Sequence, residues 1–197
     1  VGPVACISPY NFPLVNIAGK IGPALATGNT VVIRPASQDP LAVIELCRIL
    51  NDEVGFPEGV INCITGSTPP SGEALVETRD IDMISFTGST AVGLRIAEVG
   101  GRTMKRLLLE LGGKGAALVL EDADPRTAIG MISSVWSFHS GQICTAPTRA
   151  DVHRSIFDQV VAGLTAWHLR TLEGLETAFI ERQREEVLQP KARMLET

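Results

Sequence analysis

Met83-Ile84-Ser85-Phe86-Thr87-Gly88-Ser89-Thr90-Ala91-Val92-Gly93 runs from an apolar, β-rich stretch through a glycine turn into a helical one. This order predicts a strand whose C-terminal end opens onto a helix N-terminus, with the helix stopping where Gly100-Gly101 follow Val99. Backbone N–H groups and the Ser89 hydroxyl at such a turn can hold a phosphate. Neither GxGxxG nor GxxxxGK[ST] occurs anywhere in the chain, so the turn alone is a weak nucleotide signal.

The same alternation spreads outward from this segment. Residues 4–8, 30–34, 60–65 and 116–120 read as further strands, apolar and β-branched. Several lack in/out alternation, as expected of strands buried on both faces. Residues 41–54 read as a helix whose polar Glu45, Arg48 and Asp52 leave a wide apolar face. Asp39-Pro40 and Asp124-Pro125 each supply an N-cap followed by a first-turn proline, the second ahead of a helix over 126–138. Ser155 with Asp158 marks another helix start, with Phe157, Val160, Val161 and Leu164 as its apolar stripe. Strand–helix alternation of this kind predicts an α/β fold with a mainly parallel sheet and helices on both faces.

The 197 residues carry 17 Lys/Arg and 22 Asp/Glu, a net charge of −5. A nucleic-acid binder of this size would show a basic excess, so that class is disfavoured. Residues 127–148 hold no Asp, Glu, Lys or Arg and are long enough to span a bilayer. Ser133, Ser134, Ser137, His139, Ser140 and Gln142 make the stretch too polar for hydrocarbon. The uncharged start is interrupted by Pro3, Pro9 and Pro13 and lacks the basic lead of a signal peptide. The expectation is a soluble, cytoplasmic chain with neither nucleic-acid nor membrane partner. The last 47 residues differ, with 14 charges against 25 in the preceding 150, which predicts a more solvated tail.

Cysteines at 6, 47, 63 and 144 form no CxxC pair, and histidines at 139, 153 and 168 do not cluster with them, so no metal site is expected. Cys6 and Cys63 fall in strands and Cys47 on the apolar face of a helix, where free cysteine behaves as a small hydrophobe. Cys144 lies on a loop between Gly141 and Pro147, where a thiol is either a reachable nucleophile or a buried loop residue. Glu110 sits between Leu107-Leu108-Leu109 and Leu111-Gly112-Gly113. Apolar neighbours would raise its pKa towards the range of a general base; the alternative is a surface position at a strand end. Asn11, directly after the first strand, is either an amide donor for a developing oxyanion or a turn residue before Pro13.

Taken together, Pro9-Tyr10-Asn11-Phe12-Pro13, Gly28-Asn29-Thr30-Val31-Val32, Phe86-Thr87-Gly88-Ser89-Thr90, Glu110-Leu111-Gly112-Gly113-Lys114 and Gly141-Gln142-Ile143-Cys144 occur in that order. The chain resembles the NAD(P)-dependent aldehyde dehydrogenase superfamily from Val1 to about Ala166. The resemblance implies Cys144 as the nucleophile that forms a thiohemiacetal and then a thioester, Glu110 as the base that activates the hydrolytic water, and Asn11 as an oxyanion donor. It implies NAD or NADP as cofactor, contacted by Ser8, Pro9, Tyr10, Arg34, Ser37, Gly88, Ser89 and Leu111. A small aldehyde would be the partner molecule, and the parent enzyme would be a homo-oligomer. The implied organisation is a dinucleotide-binding portion over 1–108, the first part of a catalytic domain over 109–170, and a divergent tail over 171–197.

Departures from the family pattern carry their own expectations. Tyr10 stands where Trp is usual, Arg34 where Lys is usual, Ser37 where a Glu often contacts the ribose hydroxyls, and Gly115 where Ser is common. Losing that Glu removes a repulsion against a 2′-phosphate, so NADP is expected to be accepted at least as well as NAD. Val1 in place of Met suggests the middle of a longer enzyme. Other readings are an acylating relative that passes the thioester to coenzyme A or phosphate, a non-catalytic remnant of the fold, and a cysteine hydrolase pairing Cys144 with His139.

Overall fold

The computed structural model describes residues 1–66 and 69–173. Within these, the chain divides into two compact units, residues 1–113 and residues from 114 onward. The break lies five residues beyond the expected boundary at 108, because a strand that begins at Arg106 runs straight through that point. The expected tail, 171–197, lies outside the described residues except for 171–173, which continue a helix.

The first unit is a five-stranded parallel sheet. Strands β1 (Val4–Ile7), β2 (Val31–Arg34), β3 (Ile61–Cys63), β4 (Met83–Gly88) and β5 (Arg106–Leu111) lie in the order β3-β2-β1-β4-β5. Helices α1 (Pro13–Ala26), α2 (Leu41–Arg48), α3 (Pro69–Glu77) and α4 (Thr90–Gly101) connect them. Successive crossovers run outward from β1 to β3, then return to place β4 on the other side of β1. The connections therefore reverse between β1 and β4, where open α/β sheets form a ligand crevice at the strand C-termini.

The pleat sorts the core. Val4, Cys6, Val31, Ile33 and Ile61 face α1 and α2, packing with Ile17, Ile21, Val43 and Cys47. Ala5, Ile7, Ile84 and Phe86 face the other way, against Leu75, Val76, Ile96 and Val99 of α3 and α4. Burial on both faces explains why these strands read as continuous apolar runs. Close approach fixes one glycine: a Cβ on Gly88 would stand 2.4 Å from the Phe86 ring.

The second unit is smaller. Strands β6 (Ala116–Val119) and β7 (Arg149–Val152) pair in parallel, joined through α5 (Pro125–Ser137) and followed by α6 (Phe157–Glu173). Val119, Ile132, Val160 and Leu164 form its core. Asp124 caps α5 as its sequence predicts, accepting from the N–H groups of Arg126 and Thr127, and Pro125 is the first helical residue.

Two expected caps are not formed. Pro40, not Asp39, precedes α2, and no side chain caps it; the helix continues past Arg48 as a π turn over Ile49–Glu53. Ahead of α6 a 3-10 turn over Arg154–Ile156 intervenes; the His153 ring accepts the Ser155 N–H and hydrogen-bonds the Ser155 hydroxyl at 2.8 Å, so that hydroxyl is engaged upstream of the helix it was expected to start. Among the described residues, no helix is long and apolar enough to cross a membrane.

Candidate active site

The first unit gathers its candidate residues at one end of the sheet. Ser8, Pro9, Tyr10 and Asn11 follow β1, Arg34 ends β2, Gly88 ends β4, and Glu110 and Leu111 end β5. Parallel strands all present their C-termini on the same edge, so chain order alone brings these distant segments together.

The turn after β1 is tied to α1: Asn16 sends both its backbone N–H and its side-chain amide to the Phe12 carbonyl, at 3.0 and 2.9 Å. Asn11 sits within that turn, partly buried. Ser8 is buried, and its hydroxyl has no hydrogen-bond partner among the described residues. A buried hydroxyl left unpaired is costly, so this atom fits a polar ligand group entering the crevice.

Ser89 is the N-cap of α4, and its hydroxyl accepts the Val92 N–H at 3.4 Å. The hydroxyl that sequence reasoning offered to a phosphate is therefore engaged by the helix itself. The exposed first turn, Ser89 to Ala91, leaves backbone N–H groups as the available donors. Leu111 packs its side chain into the core against Gly93, where a Cβ would come within 2.6 Å of it. Only its backbone remains for a ligand. Arg34 donates from Nε to the Ser71 hydroxyl at 3.3 Å, and Ser37 is exposed beside it in sequence.

Glu110 corrects an expectation. Its leucine neighbours do not enclose it, because strand alternation turns Leu107, Leu109 and Leu111 into the core and leaves Arg106, Leu108 and Glu110 on the other face, all three exposed. Glu110 pairs in register with Thr87 of β4. Thr87 in turn accepts a 2.6 Å hydrogen bond from Lys20, a buried lysine of α1.

Sequence reasoning missed Lys20, although it is the one charged side chain in residues 1–33. Burial pushes its ammonium pKa below the usual lysine value, while the charges of Cys6 and Glu110 partly offset that. Lys20 thus lies on the same sheet face as Glu110, whose carboxylate favours the charged form of the lysine.

In the second unit, α5 ends in a tight turn over Phe138–Gly141, with His139 and Ser140 left-handed at φ +50° and +55° and Gly141 at +74°. Consecutive non-glycine residues in this region are strained and mark sites that the surroundings hold in place. Cys144 follows on a reverse turn closed by the Ala146 N–H to the Ile143 carbonyl at 3.2 Å. Buried Ala146 and a 2.6 Å bond from the Trp136 indole to the Pro147 carbonyl anchor the far side. The thiol itself is exposed. The alternative of a buried loop cysteine is therefore set aside. The turn presents a reachable sulfur on an anchored backbone, the requirement for a nucleophile.

Comparison with known proteins converges on one family. A sequence profile of the aldehyde dehydrogenase family matches residues 1–174. Phenylacetaldehyde dehydrogenase of Pseudomonas fluorescens is 44% identical over 164 residues, which cover 83% of this chain and 32% of that protein. The crystal structure of betaine aldehyde dehydrogenase from Staphylococcus aureus, in complex with NAD+, matches 83% of this chain and 32% of its own at a TM-score of 0.80 and 37% identity. An E. coli NADP-dependent enzyme matches 88% of this chain and 35% of its own at a TM-score of 0.82 and 35% identity. The chain spans about a third of the length of these relatives.

Proposed function

Because the chain belongs to the aldehyde dehydrogenase family, we propose that the protein oxidises an aldehyde to a carboxylic acid with NAD or NADP as electron acceptor. The observation that carries the reading is Cys144, an exposed thiol on a turn whose backbone is fixed on both sides.

The Cys144 thiolate attacks the aldehyde carbon, and the carbonyl electrons move onto oxygen. By motif position in the family, Asn11 and the Cys144 backbone N–H take the part of donors to that oxyanion. An oxidised nicotinamide, when bound, supplies the hydride acceptor that allows a thioester to follow. Glu110 then takes a proton from water, the hydroxyl adds to the thioester carbonyl, and the Cys144 thiolate leaves as the acid is released. A family member that passed its acyl group to another thiol would need no water-activating base, so Glu110 favours hydrolysis.

For the dinucleotide, the unpartnered Ser8 hydroxyl and the open first turn of α4 are suited to polar groups of the cofactor. Arg34 retains guanidinium donors beyond the Nε that bonds Ser71, and Ser37 itself carries no carboxylate. This pair accepts a 2′-phosphate, so NADP binds at least as tightly as NAD; a strong NAD preference in direct titration would contradict it.

The reading is tested by aldehyde-dependent formation of reduced dinucleotide, followed by absorbance, in the wild-type protein and in Cys144→Ala. The variant is expected to lose activity by roughly 10³-fold or more. Activity that survives Cys144→Ala would overturn the assignment.

A further inference from the structure

Two other cysteines occupy positions that the aldehyde chemistry does not use. Cys47 lies on the inward face of α2 and is 5% exposed. Cys63 is the last residue of β3, at the open edge of the sheet, and only partly buried. In-register pairing puts Cys63 on the same face as Ile33 and Cys6, the face that α2 covers, so both thiols enter one core cluster. There the two thiols influence each other: Cys47 pulls the Cys63 pKa down to about 7 against the opposing effect of burial, while Cys63 and burial push the Cys47 thiol up. Cys6 is no competitor. It is two strands away, about 10 Å at ordinary strand spacing and beyond disulfide reach. Burial also pushes its thiol up to about 11.

We propose that Cys47 and Cys63 form a redox pair, separate from the nucleophile, that closes to a disulfide when hydrogen peroxide reaches the β3 edge. Cys63, the more accessible sulfur, attacks one peroxide oxygen; an S–O bond forms, the O–O bond breaks, and hydroxide leaves to take up a proton as water. The Cys47 sulfur then attacks the resulting sulfenic sulfur, the S–S bond forms, the S–O bond breaks, and a second water departs with the Cys47 proton. The two sulfurs lose two electrons and the peroxide is reduced to two waters. The product ties α2 to β3 beside the segment carrying Arg34 and Ser37. It is reversible by a dithiol.

The test treats the reduced protein with hydrogen peroxide, blocks remaining thiols and digests it with trypsin without reductant. The expected product joins the peptide over residues 21–48 to that over 49–79, lighter than their sum by two hydrogens. It disappears on adding dithiothreitol and persists in Cys144→Ser. In Cys47→Ala the link is lost, Cys63 oxidises onward to sulfinic acid, and its alkylation rate at pH 7 falls by roughly 10-fold or more as its thiolate fraction drops. Cys63 that reaches sulfinic acid in the wild type while Cys47 stays alkylatable, or that links to Cys6 or to another chain, would overturn the proposal. So would a Cys63 that resists peroxide altogether.

Discussion

The two units solve the placement of reactive groups in opposite ways. The first unit sets Arg34 and Glu110 at the ends of parallel strands and Asn11 in the turn after another, so all three gather at one edge of the sheet. The second has two strands and one small core, and it presents Cys144 on a turn after a left-handed kink. A sheet edge holds several groups in fixed relation with little local strain. A braced turn exposes a single sulfur and concentrates strain in the residues just before it. The contrast predicts which changes abolish chemistry and which only loosen structure.

The largest effect falls on the braced turn. Cys144→Ala leaves the fold intact, because the thiol is exposed, and removes about 10³-fold or more of the turnover. Glu110→Gln in the sheet-edge set costs on the order of 10²–10³-fold, since a general base contributes about that much. Its signature is a burst of reduced dinucleotide followed by slow release of acid. An equal loss without a burst would separate Glu110 from water activation.

Changes to the sheet scaffold act on stability instead. Gly88→Ala drives a methyl into the buried Phe86 ring and costs about 1–3 kcal/mol in urea unfolding. Gly93→Ala meets only the flexible end of Leu111 and costs less. Reversal of that order would mean the sheet edge is softer than its packing implies.

The smallest effect is at the start of α5. Hydrogen bonds from the Thr127 hydroxyl and backbone hold the Asp124 carboxyl below its usual pKa. A carboxylate depressed in the folded state contributes stability above its unfolded pKa and loses it as pH falls through the folded value. Asp124→Ala therefore lowers the unfolding temperature slightly at pH 7, and the gap from wild type narrows in acid.

Much of this was legible in the residues. Strands β1 to β4 and β6 announced themselves as apolar runs, and Gly88-Ser89 marked a strand-to-helix turn as it should. Strand β5 was concealed because Leu107 to Leu109 read as one apolar block, although alternate residues face opposite ways. Strand β7, Arg149–Val152, was concealed by the charges on its exposed face. Helix α1 was concealed by Pro13, Pro23 and its glycines, which argue against a helix locally but are overruled by packing of Ile17 and Ile21 on the sheet. Among the candidate site residues, motif order proposes Cys144, Asn11 and Glu110, but does not announce the exposure of Glu110 or the gathering of Cys47 and Cys63 in one core cluster. Both depend on register and on crossover packing, which bring together residues far apart in sequence.

Acyl trapping asks whether Cys144 is the sulfur that carries the substrate. Glu110→Gln, supplied with an aldehyde and oxidised dinucleotide and quenched in acid, is digested and its cysteine peptides are weighed. The expected result is an acyl group on the tryptic peptide over residues 127–149, on Cys144 and on no other cysteine. An acyl group on Cys6, Cys47 or Cys63, or steady aldehyde oxidation with Cys144 unmodified throughout, would contradict it.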